Sequence, residues 1–138
     1  MAANTTPIFS RLGDTQWVTG VLAQNTTTDL TSGTIYLVFT ADATEGGYIQ
    51  RIRFRPLGTN IATVARVWIN NGSATGTAAN NILWDEISVA ATTASNTAAL
   101  ANYELPLNFA LPAGYRIYVT LGTAVAAGFA VTVIGGKY

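Results

Sequence analysis

The chain lacks both cysteine and histidine, and charged residues make up only 10% of its 138 positions. Without cysteine there is no disulfide framework and no thiolate metal site. Without histidine, the commonest metal ligand and the usual acid–base group near neutral pH are missing. Seven basic residues balance seven acidic ones, which disfavours a polyanionic partner held by bulk charge. We therefore expect no cofactor, no bound metal and no nucleic-acid partner.

Recognisable catalytic patterns are also lacking. The sole adjacent acidic pair, Asp85 and Glu86, lies in a predicted strand, where successive side chains point to opposite faces and cannot act together as acid and base. The sequence contains no nucleophile elbow of the G-x-S-x-G type, no phosphate-binding loop and no EF-hand calcium loop. We expect a protein that is not an enzyme.

The scarcity of ions also describes the surface, since an ordinary globular protein is about a quarter charged. Thr, Asn, Ala and Gly must coat much of the exterior, which indicates a surface covered by other protein or adapted to a crowded assembly. The N-terminal residues lack the basic start and apolar run of a secretory signal, and no stretch approaches the roughly 18 apolar residues of a membrane span. We expect synthesis in a cytoplasm and no membrane partner.

What the sequence does contain is a series of strand-like segments. Runs rich in Val, Ile, Thr and aromatic residues recur between clusters of Gly, Asn, Asp and Pro, and no helical apolar stripe lasts beyond about two turns. The pattern predicts an all-β domain. In the fifth run, the apolar residues would fall on both faces of a regular strand. An extra residue would bring them to one face, so we expect a β-bulge near Asp85. The eight predicted strands cover residues 16–23, 33–41, 47–56, 62–70, 81–90, 98–109, 114–121 and 127–135.

Two similar segments within the sequence help to choose among the folds that eight strands can form. LGTNIATVARVWINNG (57–72) and LGTAVAAGFAVTVIGG (121–136) share L-G-T, a later Ala and Val and a closing Gly, although chance could also produce this in a sequence of such simple composition. In a jelly roll, the links from strand three to four and from seven to eight lie at one end, and both cross between the sheets. We predict a jelly-roll β-sandwich of two four-stranded antiparallel sheets: strands one, eight, three and six, and strands two, seven, four and five.

The stretch YIQRIRFRP (48–56) holds three of the seven basic residues, at Arg51, Arg53 and Arg55. We call these three residues the arginine ladder. Alternation places the intervening apolar side chains inside together with Tyr48, and sends the arginine ladder to the outer face of its sheet.

Two interpretations of the arginine ladder stay open. Glu104 and Glu45 are placed to neutralise part of it, which would leave a solvated edge of little energetic value. Alternatively, the guanidinium groups donate hydrogen bonds to carboxylates or backbone carbonyls of a neighbouring subunit. Such a desolvated interface is a place where Arg is enriched over Lys. A phosphate or nucleic-acid groove is disfavoured by the zero net charge. We predict that at least one arginine of the ladder contacts another subunit.

A second predicted patch combines aromatic and cationic side chains on the other sheet. Arg66 and Trp68 on strand four, and Arg116 and Tyr118 on strand seven, are expected to point outward from adjacent strands. Together with Trp84, these aromatic residues could pack in the core, contact another protein or form a sugar-stacking platform.

Residues 1–15 do not alternate, and they carry Ile8 and Phe9 as the only large apolar pair before Trp17. We interpret them as an N-terminal arm with one apolar anchor, followed by the sandwich domain over residues 16–138. The alternative is that the pair caps its own sandwich.

Several segments of the chain resemble a known group of proteins. TTPIF near the start, a Trp about ten residues later, RIRFRPLGTNIATVARVWINNGS in the middle and LPLNFALPAGYRIYVTLGTAVAAGFAVTVIGGKY at the end are similar to small structural proteins encoded by tailed bacteriophages. The resemblance covers nearly the whole chain and brings no catalytic or ligand residues with it.

The resemblance implies a non-enzymatic virion protein, and within that class a head decoration (cement) protein of jelly-roll type. Such proteins often assemble as trimers, so it implies a homotrimer, made in the bacterial host cytoplasm and bound to the major capsid protein on the virion surface. A tail or fibre component, or a glycan-binding module, is the alternative. The predicted subunit or capsid interface consists of Ile8, Phe9, Arg51, Arg53, Arg55, Arg66, Trp68, Arg116 and Tyr118.

Overall fold

The computed structural model describes residues 10–138, which form eight β-strands and one 3₁₀ turn, Ala78–Asn80. Each strand overlaps one predicted from the sequence, so the all-β prediction is confirmed. No helix in the described part of the chain is long and apolar enough to cross a membrane. The strands are β1 (Leu12–Val21), β2 (Tyr36–Thr40), β3 (Gly47–Pro56), β4 (Thr63–Asn70), β5 (Asn81–Val89), β6 (Tyr103–Leu111), β7 (Arg116–Leu121) and β8 (Phe129–Lys137).

The strands pair into two antiparallel sheets, which we call the first sheet (β1-β8-β3-β6) and the second sheet (β2-β7-β4-β5). This is the strand order of a jelly roll, and each sheet holds the strands predicted for it. β1 begins earlier than predicted, because Leu12 already pairs with Lys137 of β8. Residues 12–15 therefore belong to the sandwich and not to the predicted arm. Ile8 and Phe9 lie outside the described residues.

The main core fills the space between the two sheets. It is built from inward-facing positions, as alternation predicted for Val67 on β4 and for Ile117 and Val119 on β7, all of which are fully buried. Burying one such side chain contributes roughly 1.5–3 kcal/mol of gross transfer free energy. The largest fully buried side chains of this core are Phe39, Ile49, Ile52, Phe54, Ile117, Leu121 and Phe129.

A bulge in β3 changes which of its residues face the core. Gln50 is an extra residue opposite β8, so Ile49 and Ile52 are both buried although they are three positions apart. Tyr48 consequently points outward, where its hydroxyl donates to Asn108 Oδ1 at 3.3 Å. The predicted inward placement of Tyr48 is wrong, because simple alternation does not anticipate the bulge.

A second bulge lies in β5. Val67 pairs with Asp85 and Trp68 with Leu83, so Trp84 is the extra residue. This confirms the bulge predicted near Asp85.

Two corners at one end of the sandwich carry the chain between the sheets. Residues 57–62 lead from β3 to β4, and residues 122–128 lead from β7 to β8. Hydrogen bonds join them, so the predicted shared end is confirmed. The two similar segments do not occupy equivalent positions in the fold, however. Leu57, which begins the first, is half exposed, whereas Leu121, which begins the second, is fully buried at the end of β7.

Asn60 holds the two corners together from a buried position. Its Oδ1 accepts from the backbone N–H groups of Ala127 (2.8 Å) and Gly128 (2.9 Å), and its Nδ2 donates to the Gly128 carbonyl at 3.1 Å. The corner between β3 and β4 is thereby fixed to the corner between β7 and β8.

We expect Asn60→Ala to lower the free energy of unfolding by about 2–3 kcal/mol, because it leaves buried backbone groups without partners. The exposed Asn71 supplies the control, and Asn71→Ala should cost less than about 1 kcal/mol. Urea unfolding of both variants measures the difference. Equal, small losses would show that other contacts hold the corners.

The loop from β2 to β3, which carries the chain from the second sheet to the first, is organised by Asp42. The backbone N–H groups of Glu45 and Thr44 donate to its Oδ1 at 2.9 Å each, and Lys137 Nζ lies 3.8 Å from its Oδ2. These contacts hold the pKa of Asp42 below its ordinary value of 3.8.

A lowered pKa in the folded state means that the charged carboxylate of Asp42 stabilises the fold above pH 3.8. That contribution is lost as the pH falls through the lower, folded-state pKa. We expect Asp42→Asn to be less stable than the native chain at neutral pH, with the difference disappearing in acid. Thermal unfolding midpoints across this range measure it, and a difference that stays constant down to about pH 2 contradicts the assignment.

Candidate interaction face

The arginine ladder lies on the outer face of the first sheet, as predicted. Along β3, its three members alternate with the fully buried Ile52 and Phe54. The side chains of Arg51 and Arg53 keep 42% and 41% of their exposure. Their guanidinium groups are therefore accessible from solvent.

Glu104 of β6 neutralises part of the arginine ladder, as one interpretation of the sequence expected. Its Oε1 accepts from Arg53 Nε at 2.6 Å, and its Oε2 lies 3.7 Å from Arg51 Nη1. No other carboxylate among residues 10–138 pairs with the ladder. Three guanidinium charges less one carboxylate leave two positive charges on this part of the face.

The third member of the ladder makes two hydrogen bonds of its own. Arg55 Nη1 donates to the Leu100 carbonyl at 2.6 Å and to Asn102 Oδ1 at 3.3 Å. Glu45, the other predicted partner, instead pairs with Arg11 at 3.4 Å. The expectation that Glu45 neutralises the ladder is wrong, because the early start of β1 brings Arg11 beside it.

Trp17 of β1 stands on the same outer face and was not among the interface residues predicted from the sequence. It is 67% exposed, the highest value among large apolar side chains in the described residues. In the strand register, Trp17 pairs with Thr132, Thr132 pairs with Arg53, and Arg53 pairs with Glu104. One row of side chains thus crosses all four strands.

The signal for Trp17 was present in its strand. In the segment TQWVTGV, Trp17 has the opposite parity to Val18, so an inward Val18 requires an outward Trp17. We call the outer surface of the first sheet the Trp–Arg face, and define it by Trp17, Arg51, Arg53, Arg55, Thr132 and Glu104.

On the second sheet, Trp68 and Tyr118 do point away from the main core, but the expectation that they form an exposed patch is wrong. They are only 1% and 8% exposed. Leu30 and Ile35 of the β1–β2 loop pack against them and form a second, smaller core. Trp68 Nε1 donates to Thr120 Oγ1 at 2.9 Å, which satisfies the polar atom of the buried indole.

The two cations predicted beside this aromatic pair remain partly exposed. Arg66 Nε donates to Glu86 Oε2 at 3.1 Å. Arg116 makes no ion pair within the described part of the chain. The chain therefore covers the second sheet at Trp68 and Tyr118, but leaves their paired residues Leu83 and Leu37 partly exposed beside them.

Trp84 lies on β5, an edge strand of the second sheet. It is 47% exposed, and its ring packs 5.0 Å from that of Phe109, at a tilt of 48°. Ile82 and Leu83 are exposed beside it. A bulge and the acidic pair that follows oppose the addition of another strand at this edge.

No protein-family model matches the chain, and no curated protein matches it either. Among solved structures, the chain is similar to one chain of "Structure of infectious bursal disease virus Gx strain", with 11% sequence identity and a TM-score of 0.32. The alignment covers 99% of this chain and 36% of that chain. A similarity this low supports no inference about function.

Proposed function

We propose that this protein is a non-enzymatic structural protein of a virion, and specifically a decoration (cement) protein that binds and stabilises the head of a tailed bacteriophage. The sequence resemblance supports this proposal. The jelly roll is compatible with it, since viral capsid and lectin domains use that fold. Fold alone does not determine function, so the proposal depends mainly on the residues exposed at the surface.

The observation that carries the proposal is the uncovered Trp–Arg face. The chain folds its own loop over Trp68 and Tyr118 on the second sheet, yet within residues 10–138 it leaves Trp17 67% exposed beside the arginine ladder. A chain with only 10% charged residues concentrates three arginines and a tryptophan on one sheet. Trp and Arg are the residue types enriched at the energetic centres of protein interfaces.

The interior of the sandwich is filled in the described part of the chain. The space between the sheets is filled by apolar side chains, among them Phe39, Phe54 and Phe129, all with no exposed surface. Function is therefore assigned to the outer surface.

The experiment that tests this proposal is a count of the chain in purified particles of the virus that encodes it. Quantitative gel densitometry against the major capsid protein gives the number of copies per particle. Hundreds of copies are expected for a head decoration protein. A handful would move the protein to the tail or a fibre, and absence from the particle would end the virion proposal.

The proposed assembly is a homotrimer that contacts the major capsid protein. The low surface charge supports self-association, whereas the buried Trp68 and Tyr118 no longer do. Light scattering on the isolated protein should give the mass of three chains. A monodisperse mass of one chain at micromolar concentration, with no larger species on the particle, would remove the trimer from the proposal.

A glycan-binding module is the second candidate, and the exposed Trp17, on the same sheet face as Arg53 and Glu104, is the feature that favours it. An aromatic ring flanked by polar groups can stack on a sugar. Two of the three aromatic residues first considered for such a platform, Trp68 and Tyr118, are buried. A low copy number, together with a fall in Trp17 fluorescence on addition of host glycans, would favour this candidate.

A further inference from the structure

The Trp–Arg face is large enough to serve as one side of a protein interface. Its four strands of nine or ten residues span roughly 30 Å by 19 Å. That footprint of about 600 Å² approaches the roughly 800 Å² that each partner buries in a standard interface. The row from Trp17 to Glu104 crosses the middle of it.

The arginines of this face have hydrogen-bonding capacity left over. Contacts within residues 10–138 engage Arg53 through Nε, and Arg51 and Arg55 through Nη1. No acceptor in that part of the chain bonds Nη2 of any of the three. Since a guanidinium carries five donors, each ladder arginine can still receive an oxygen from outside.

Arg51 also borders a shallow cavity of about 280 Å³ on this face, which Gln50, Glu104, Pro106 and Asn108 help to line. Its Nε is shielded from solvent and has no hydrogen-bond partner among the described residues. The donors of Arg51 that an oxygen in the cavity could reach are those of its terminal nitrogens, since the side chain as a whole keeps 42% of its exposure. A carboxylate matches the fork of donors that arginine presents.

The charge of the face argues against a second copy of the chain as its occupant. Two such faces in contact would place like charges together, because each carries the ladder. Other surfaces of the chain offer few free carboxylates: of its seven acidic residues, four already pair with its own cations, namely Asp42, Glu45, Glu86 and Glu104.

Nucleic acid also fits this face poorly. Glu104 projects within the cationic row, where it would repel phosphates, and the net charge of the chain is zero. Trp17 stands about two strand spacings, roughly 10 Å, from Arg53, so one face presents an aromatic group and cationic groups at separate positions. Such a combination fits a protein surface that has both apolar and acidic parts.

We propose that the Trp–Arg face docks on an acidic protein surface that offers carboxylates to the arginine ladder and an apolar recess to the ring of Trp17. This inference rests on the proposed function, in which that surface belongs to the major capsid protein. The carboxylates would lie roughly 7–14 Å apart, matching the spacing of alternate residues along β3. Docking would supply an acceptor to Nη2 of Arg51, which bonds no acceptor within the described residues.

The test is rebinding of the purified full chain to particles that lack it, prepared from virus with the gene deleted. Two face variants are used, Trp17→Ala and the double variant Arg51→Gln with Arg55→Gln. Their matched controls are Trp84→Ala and Arg66→Gln, which change an exposed tryptophan and an arginine outside the face. Circular dichroism and light scattering first establish that every variant keeps the native fold and mass.

Each face variant should bind at least about ten-fold more weakly than the native chain, whereas each control stays within about two-fold. Binding of the native chain should also weaken as NaCl is raised above roughly 0.15 M, and the double variant should lose most of that salt dependence. The ladder would then be confirmed as the source of the electrostatic contribution.

The other outcomes separate this inference from the proposed function. If the native chain rebinds but the face variants bind as well as the controls, the docking face is wrong while the decoration role stands. If the controls fail instead, the second sheet, which carries Trp84 and Arg66, is the contact surface and the docking face is wrong. If the native chain does not rebind at all, the decoration role fails and the inference fails with it. Binding of the native chain to random-sequence duplex DNA, lost in the double variant, would replace the protein partner by a nucleic acid.

Discussion

Trp68→Ala is expected to lower the free energy of unfolding by about 3–5 kcal/mol, which is a large part of the stability of a domain this size. The indole is 1% exposed and donates to Thr120 Oγ1. Its removal leaves a cavity beneath Leu30 and takes away the surface on which the β1–β2 loop packs. The variant should therefore also expose residues 22–35 to solvent.

Urea unfolding and hydrogen exchange together measure these two effects. Trp84→Ala is the matched control, because Trp84 is half exposed and its removal should cost less than about 1.5 kcal/mol with no change in the loop. A loss below about 1 kcal/mol for Trp68→Ala, or unchanged exchange in residues 22–35, would mean that the loop does not close the second sheet.

Phe54→Ala is expected to cost about 3–5 kcal/mol as well, whereas Arg53→Gln, one position away, should cost less than about 1 kcal/mol. Phe54 is fully buried in the main core, while Arg53 faces solvent and contributes an exposed ion pair with Glu104. Neighbouring residues of one strand thus separate the stability of the fold from the chemistry of the Trp–Arg face.

Thermal unfolding and particle rebinding distinguish the two variants. Phe54→Ala should lose binding only where it is also unfolded, and Arg53→Gln should bind more weakly at temperatures where its fold is intact. Similar unfolding curves for the two variants would contradict the assignment of Phe54 to the core and Arg53 to the face.

The repeated L-G-T segments and jelly-roll topology predicted the two sheets, and alternation of apolar and polar residues predicted most inward positions. Each side chain of a regular strand faces the side opposite to its neighbours, so Val67 and Ile117 could be placed inside without knowledge of the fold. The rule fails where a bulge intervenes, which is why Tyr48 was placed inside. It also fails at the start of β1, where Gly13 and Asp14 do not look like strand residues.

The candidate site was predictable only in part. The outward direction of the arginine ladder followed from alternation, and its contact with Glu104 followed from the predicted pairing of strands three and six. The cover over Trp68 did not, because Leu30 comes from a polar loop and adopts a positive φ of 64°, which no local pattern indicates. The pairing of Glu45 with Arg11 depends on where β1 begins. Trp17 was overlooked although its parity already placed it outward.

The three tryptophans of the chain allow one direct measurement of whether the Trp–Arg face is buried on the particle. Trp17 lies on that face, Trp84 is exposed on the β5 edge and Trp68 is buried, with exposures of 67%, 47% and 1%. Hydroxyl-radical oxidation, read out by mass spectrometry, reports the accessibility of each ring in the free and particle-bound protein. We predict that Trp17 is oxidised in the free protein and protected on the particle to the level of Trp68, while Trp84 stays reactive in both states. Equal oxidation of Trp17 in the two states would contradict the proposed docking face.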